Sequence, residues 1–362
     1  MAVNITYKCP TCGAELFWSP SDNCWACKYC DDKFTLEQLQ ASGQGQEINK
    51  ENVQKHEEVQ EGEYTQSTDG TVGNNLVKYT CSHCGAEIIT DRSTAATICV
   101  YCGNSVIMGE QIIDDFTPDL VIPFRVEKNA VMETFKNFSK KPLTPNDFDC
   151  EKIVDKMQGV YIPFWLYSGS CHGTIQAEGI NTRTWRSGDY RYTENKYYSV
   201  FRDGTVGFER VPVDASSKTE NDAMDSIEPY DYKDFQPFNP GYLSGYLAER
   251  FDEDKDACFS RAKERIENTT RDELRKSCNY NSVNIQKYDK QVTIKDTKYA
   301  LLPTWLLYTT YKDKPYFFAM NGQTGKFIGN LPIDKGKLAL YTSFGSIGGF
   351  ILGFILRIAG IF

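Results

Sequence analysis

The sequence predicts an α+β chain: two small β modules, an antiparallel-sheet α+β domain rich in aromatics, and a long apolar helix at the C-terminal end. Three observations predict it. Cys9-Pro10-Thr11-Cys12 and Cys27-Lys28-Tyr29-Cys30 return, at one constant offset, as Cys81-Ser82-His83-Cys84 and Cys99-Val100-Tyr101-Cys102. Aromatic residues make up 13% of the chain, with 22 Tyr and 21 Phe, a composition that suits strands. Residues 338–356 carry no charge.

The cysteine pattern has a specific chemistry. A CxxC turn sets two thiolates on one side of a metal, and two such turns on facing hairpins complete a tetrahedral four-sulfur shell. The flanks repeat as well, Gly13-Ala14-Glu15-Leu16 beside Gly85-Ala86-Glu87-Ile88, so the pattern is an internal duplication. The spacing predicts two zinc ribbons, one Zn2+ on Cys9, Cys12, Cys27 and Cys30 and one on Cys81, Cys84, Cys99 and Cys102, with rubredoxin-like iron as the alternative. A closed four-cysteine shell leaves no open position for substrate, which argues for a structural metal. Cys24 has Ala96 as its counterpart and reads as a spare thiol; His83 has Thr11 and reads as facing outward.

Taken in order, residues 1–40 form the first ribbon, with a strand at 16–18 and a helical turn from 34. Residues 41–75 form an acidic flexible linker (Glu47, Glu51, Glu57, Glu58, Glu61, Glu63 and Asp69 against Lys50 and Lys55) that lets the first ribbon range from the second; a partly formed helix over 47–60 is the alternative. Residues 76–113 form the second ribbon. Residues 114–337 form the aromatic-rich α+β domain. Within it, Val131, Phe135 and Phe138 predict a helix over 128–139, and 159–167 reads as a buried strand. Polar strands follow over 171–213, with a turn at Arg202-Asp203-Gly204. A long helix over 252–276, acidic at its start and basic at its end, leads into further strands as far as 328. Pro163-Phe164-Trp165-Leu166 echoes Pro303-Thr304-Trp305-Leu306, with Ile122-Pro123-Phe124 as a weaker third copy. Either the chain holds two similar half-domains or the echo is a coincidence among aromatic strands.

The uncharged run would span about 28 Å as a helix, close to a bilayer core. With the rest of 338–362 it predicts a transmembrane tail anchor, single-pass in the cell membrane. Lys335 and Lys337 on its N-terminal side place the ribbons in the cytoplasm. Gly345, Gly349 and Gly353 recur every fourth residue and would let a second membrane helix approach, a route to homo- or hetero-oligomers. No apolar leader opens the chain, and thiolate sites fit a reducing compartment.

Enzymatic chemistry finds little support. Cys171 and His172 are neighbours, but on a strand they point to opposite faces. Gly322-Gln323-Thr324-Gly325-Lys326 lacks the spacing of a phosphate-binding loop and reads as a hairpin turn. The expectation is a non-enzyme.

The combination resembles the bacterial TFIIB-type zinc-ribbon membrane protein family. The resemblance rests on the knuckles, 159–165, Tyr242-Leu243-Ser244-Gly245-Tyr246-Leu247-Ala248-Glu249, and Ala319-Met320-Asn321-Gly322-Gln323-Thr324-Gly325-Lys326. Some members are labelled primosomal-helicase-like; this chain has no helicase motor, so that label does not carry over. The resemblance implies partners of the phage-shock coat or SPFH scaffold type and a role in envelope or membrane stress.

The resulting expectation is a membrane-anchored cytoplasmic adaptor that binds proteins. Its rival is a nucleic-acid-binding ribbon protein, and the charge balance disfavours that. The net charge is −9. The first ribbon sets Lys8, Lys28 and Lys33 against Glu15, Asp22, Asp31, Asp32 and Glu37; the second sets Lys78 and Arg92 against Glu87, Asp91 and Glu110.

Overall fold

The computed structural model describes residues 7–43, 76–80, 87–91, 93–99, 105–107, 117–148 and 150–358. The first ribbon is a three-stranded antiparallel sheet: β1 (Leu16–Ser19), β2 (Cys24–Cys27) and β3 (Lys33–Phe34). It ends in a short helix, α1 (Leu36–Ala41), whose capping box joins Thr35 and Gln38 reciprocally.

The second ribbon does not form the small β unit expected of it. Of its described strands, β4 (Leu76–Thr80) and β5 (Glu87–Asp91) make a two-stranded sheet. By contrast, β6 (Thr94–Ile98) and β7 (Ser105–Ile107) join the main sheet, β6 through Ala96 against Ala248 of β12 (Leu247–Glu249).

Among the described residues the main sheet has ten strands and is mixed, which corrects the expected antiparallel sheet. Its centre is the antiparallel pair β9 (Gln158–Ser187) and β13 (Ser282–Tyr311). Two very short strands pair with them in parallel: β8 (Leu120–Val121) on β13 and β12 on β9. Strands so short carry no readable alternation, and their direction is set by tertiary contact. β10 (Tyr190–Asp214) folds back along β9, and β14 (Lys314–Asn321) folds back along β13, followed by β15 (Phe327–Gly329); β11 (Gln236–Pro237) lies against β8.

The expected turn at Arg202-Asp203-Gly204 is mid-strand in β10, paired with Ile175, Thr174 and Gly173; the chain reverses between Ser187 and Tyr190 instead. The separate strands expected over 283–311 are one strand with irregularities between Ile285 and Lys287 and between Ile294 and Asp296, which break the sequence pattern without ending the pairing.

The apolar run of β9 is explained by burial on both faces. Tyr161, Trp165 and Tyr167 enter one core with Tyr299, Leu301 and Trp305 of β13 and with Val131 and Phe135 of α2 (Lys128–Ser139). Ile162, Phe164 and Leu166 enter a second core with Leu302, Leu306 and the residues Met224 and Ile227 of α4 (Asn221–Ile227). A short helix α3 (Cys150–Val154) precedes β9. Further out, β9 is buried on one face only, where Ile175 and Ala177 meet Leu274. That residue ends the stripe Cys258, Ala262, Ile266, Thr270 and Leu274 of α5 (Lys255–Lys276), which is capped by Asp254 and closes with Arg275 and Lys276.

The echoed segments pair with each other. Pro163 lies opposite Leu301 and Pro303 opposite Tyr161, so a pseudo-twofold axis passes through the pair Ile162 and Leu302. The surroundings obey the same symmetry. Leu120 pairs with Ala300, as Leu247 pairs with Val160. Ala215 N–H donates to the Pro163 carbonyl at 2.9 Å, as Gly322 N–H donates to that of Pro303 at 2.8 Å. The Ala215 carbonyl accepts from Asp252 and Glu253, as the Gly322 carbonyl accepts from Arg125 and Val126. Trp165 Nε1 donates to the Glu253 carbonyl and Trp305 Nε1 to the Val126 carbonyl, both at 3.0 Å. The domain is therefore two strand–helix–strand–strand units, each lending its first short strand to the other.

The C-terminal segment is helical, α6 (Lys335–Ile358), and carries Gly345, Gly349 and Gly353, whose packing lies outside the described residues. Among the described residues no helix is long and apolar enough to cross a membrane. That finding overturns the transmembrane tail anchor and the single-pass cell-membrane location. In the first half of the helix Thr342, Ser343 and Ser346 stand among the apolar residues and bond their hydroxyls to the helix backbone.

Candidate metal centre

The two knuckles of the first ribbon have the same backbone design. Cys9 N–H donates to Ala14 and Cys27 N–H to Asp32; Gly13 N–H returns to the Cys9 carbonyl and Asp31 N–H to the Cys27 carbonyl. Each turn needs a left-handed residue at its close, and these are Gly13 (φ 76°) and Asp31 (φ 58°). The glycine after the second cysteine is thus a signal for one knuckle, and a short polar residue serves in the other.

The turns bring the thiols of Cys9, Cys12, Cys27 and Cys30 within 4.8 Å of one another. Cys9 Sγ lies 3.5 Å from Cys30 Sγ, and Cys12 Sγ 3.5 Å from Cys27 Sγ. Four sulfurs about 2.3 Å from a central ion would stand about 3.8 Å apart, so the cluster fits a tetrahedral thiolate site. The electrostatics agree with that donor set. Burial pushes the Cys9 thiol up, but the N–H groups of Cys12 and Thr11 and the neighbouring thiols outweigh it and bring it down to about 7. Burial likewise raises Cys27 while the N–H groups of Cys30 and Tyr29 bring it below its usual value. Cys12 and Cys30 each accept a backbone N–H that favours the thiolate, yet both are held above the usual thiol range by the other sulfurs. Four thiolates in this space repel one another unless a cation neutralises them.

Cys24 is buried on β2 outside this cluster, its thiol raised by burial and by Asp22. In the second ribbon Cys99 is buried at the end of β6; Cys81, Cys84 and Cys102, with His83, lie outside the described residues.

The first ribbon is fixed to the α+β domain, against the expectation that it ranges on its linker. Trp18 and Trp25 pack edge-on at 4.8 Å, and both meet Tyr242, at 4.9 and 5.0 Å. Trp18 Nε1 donates to the Phe124 carbonyl at 2.9 Å and Trp25 Nε1 to the Gly241 carbonyl at 3.0 Å; the Tyr7 hydroxyl donates to Asn239 Oδ1 at 2.6 Å. Burial pushes the Tyr242 hydroxyl up to about 12. A cleft of about 410 Å³ remains along this seam, between Trp18, Trp25, Arg125, Asp234 and Tyr242. Sequence reasoning missed this seat. Its signal was the pair of tryptophans between the knuckles and the glycine-aromatic stretch at 241–246.

The remaining candidates separate. Cys171 is fully buried, whereas His172 is exposed on the other face of β9 beside Thr205 and Asp203, so the two form no nucleophile–base pair.

No family model matches the chain, and no solved structure matches it. It is similar to the uncharacterised protein YdjG of Bacillus subtilis (strain 168), 33% identical over 352 residues that cover 96% of each chain.

Proposed function

The chain belongs to the family of YdjG, and we propose that it is a zinc-ribbon adaptor whose metal is structural and whose work is to bind other proteins. The observation that carries the reading is the closed cluster of four thiols in a ribbon seated by Tyr7, Trp18 and Trp25 on the α+β domain. Such a shell has no position for substrate, and its role is to hold a small hairpin in shape.

The metal is zinc, one ion in each ribbon, the second on Cys81, Cys84, Cys99 and Cys102. The outer rim of the first knuckle pair offers contact residues: Tyr29 is 86% exposed, and Lys28 Nζ stands 3.9 Å over the Phe17 ring. The partners are proteins of the phage-shock coat or SPFH scaffold type, as the family resemblance implies, in the response to envelope stress. The chain works without catalysis; Cys171 and His172, on opposite faces, support that part of the reading.

The test has two arms. Elemental analysis of the purified chain is expected to give two zinc ions, and one after Cys9→Ser with Cys12→Ser. Purified phage-shock coat and scaffold proteins are then mixed with the wild-type chain and with that variant. Binding lost in the variant supports the adaptor. No zinc, or no binding of either class, overturns it.

A further inference from the structure

The long ribbon of β9, β10 and β13 is three strands wide only as far as Ser282, which lies opposite Ile180. Beyond that pair β9 and β10 run on alone, from Asn181 opposite Lys196 to Ser187 opposite Tyr190, and residues 182–199 are exposed without interruption. An isolated two-stranded hairpin in water is marginal at best, yet this one carries an unusual load.

On the face shared with α5, Trp185 stacks on Tyr192 across the strands, with centroids 5.7 Å apart and planes 14° from parallel, and the Arg183 guanidinium lies 5.7 Å from the Trp185 ring. Tyr190 (71% exposed) precedes this pair on the same face, and Lys196 and Tyr198 follow it. Residues two apart on one strand face stand about 7 Å from each other, so Tyr190 and Tyr192 offer successive rings along one line.

On the opposite face Arg186 lies directly across from Arg191, above Thr184 and Thr193, whose hydroxyls are 3.5 Å apart. Like charges in direct register weaken a hairpin. Neither guanidinium makes a hydrogen bond or ion pair within the fold, so the fold does not answer their charge. In a chain of net charge −9, this tip gathers Arg183, Arg186, Arg191 and Lys196 against Asp189 and Glu194.

We propose that the hairpin tip, residues 181–196, binds single-stranded nucleic acid. Unpaired bases present ring faces to Trp185, Tyr190 and Tyr192, and phosphates meet Arg186 and Arg191, whose guanidinium groups the fold leaves without acceptors, beside the Thr184 and Thr193 hydroxyls. A duplex keeps its ring faces stacked inside and can use only the charges. The site is separate from the metal ribbon and does not depend on the adaptor reading.

The test uses the full-length, zinc-loaded chain and a fluorescein-labelled thymidine 20-mer, followed by anisotropy between 50 and 200 mM salt, with a duplex of equal length and anionic phosphatidylglycerol vesicles beside it. Four cations on a single strand predict an affinity loss of about 50-fold across that range. Arg186→Gln with Arg191→Gln is expected to flatten the logarithmic salt slope by about 1.4. Trp185→Ala with Tyr192→Ala is expected to weaken binding at least tenfold while leaving the slope in place, and the duplex to bind at least tenfold more weakly than the single strand. Circular dichroism and zinc content identical to wild type establish that each variant is folded. Absence of oligonucleotide binding at 50 mM salt, binding unchanged in folded hairpin variants, or binding to vesicles alone overturns the proposal.

Discussion

Asp214 is fully buried at the end of β10, where Arg261 Nη2 reaches it at 2.7 Å and Thr219 donates a second bond. Burial raises its carboxyl above the usual range, and the pull of Arg261 offsets only part of that. A carboxyl whose folded value is raised contributes stability below its unfolded value and loses it as pH climbs through the folded one. Removing Arg261 raises the folded value further. Arg261→Ala is therefore expected to cost about 3 kcal/mol at neutral pH, and the gap from wild type to narrow as the solution is acidified. Urea midpoints at pH 7 and pH 5 measure both.

At the same scale the grouping of Cys9, Cys12, Cys27 and Cys30 was legible in the sequence, because a pattern that can hold a metal is written in local spacing. Asp214 was not, since its partner lies on a helix far along the chain. Loss of Cys9 or Cys27, the two thiols held low, is expected to abolish metal binding at the first ribbon, whereas Cys24→Ser leaves it intact; a colorimetric zinc-release titration separates the two.

The elements show a similar division. The helices α2 and α5 were readable over nearly their full length, since a buried stripe at helical spacing is a local pattern. The strands of 30 residues were not. Their irregularities and changes of burial, from two faces to one to none, look in sequence like separate short strands. The seating of the ribbon was equally hidden, because Tyr7 and Asn239 meet across the chain. At that seat a Cβ on Gly241 would stand 2.0 Å from the Tyr7 ring. Gly241→Ala is expected to unseat the ribbon and cost about 1–3 kcal/mol, the range for overpacking. Tryptophan emission should shift to the red as Trp18 and Trp25 meet water, and protease cleavage within residues 7–43 should quicken.

For the whole molecule the echo of the Pro-x-Trp segments was visible in the sequence, and its meaning needed the sheet. The parallel partners β8 and β12 are too short to announce themselves. The pseudo-twofold makes a direct prediction: Trp165→Phe and Trp305→Phe each remove one indole N–H from a carbonyl at an equivalent place. Each is expected to cost about 1–2 kcal/mol, with the two values close to each other in parallel denaturant melts. A large inequality would mean the symmetry of the backbone does not extend to its energetics.

The exchange of first strands between the two units also sets an order of events on the ribosome. The chain emerges with β8 and β9 early, and the strand that covers both, β13, comes last but for β14, β15 and the final helix. Until residue 311 has left the exit tunnel, the first unit holds one flank of its longest strand open and its short strand paired with β11 alone. Nascent chains halted before that point should stay sensitive to protease throughout the α+β domain, and those halted after it should become resistant in a single step.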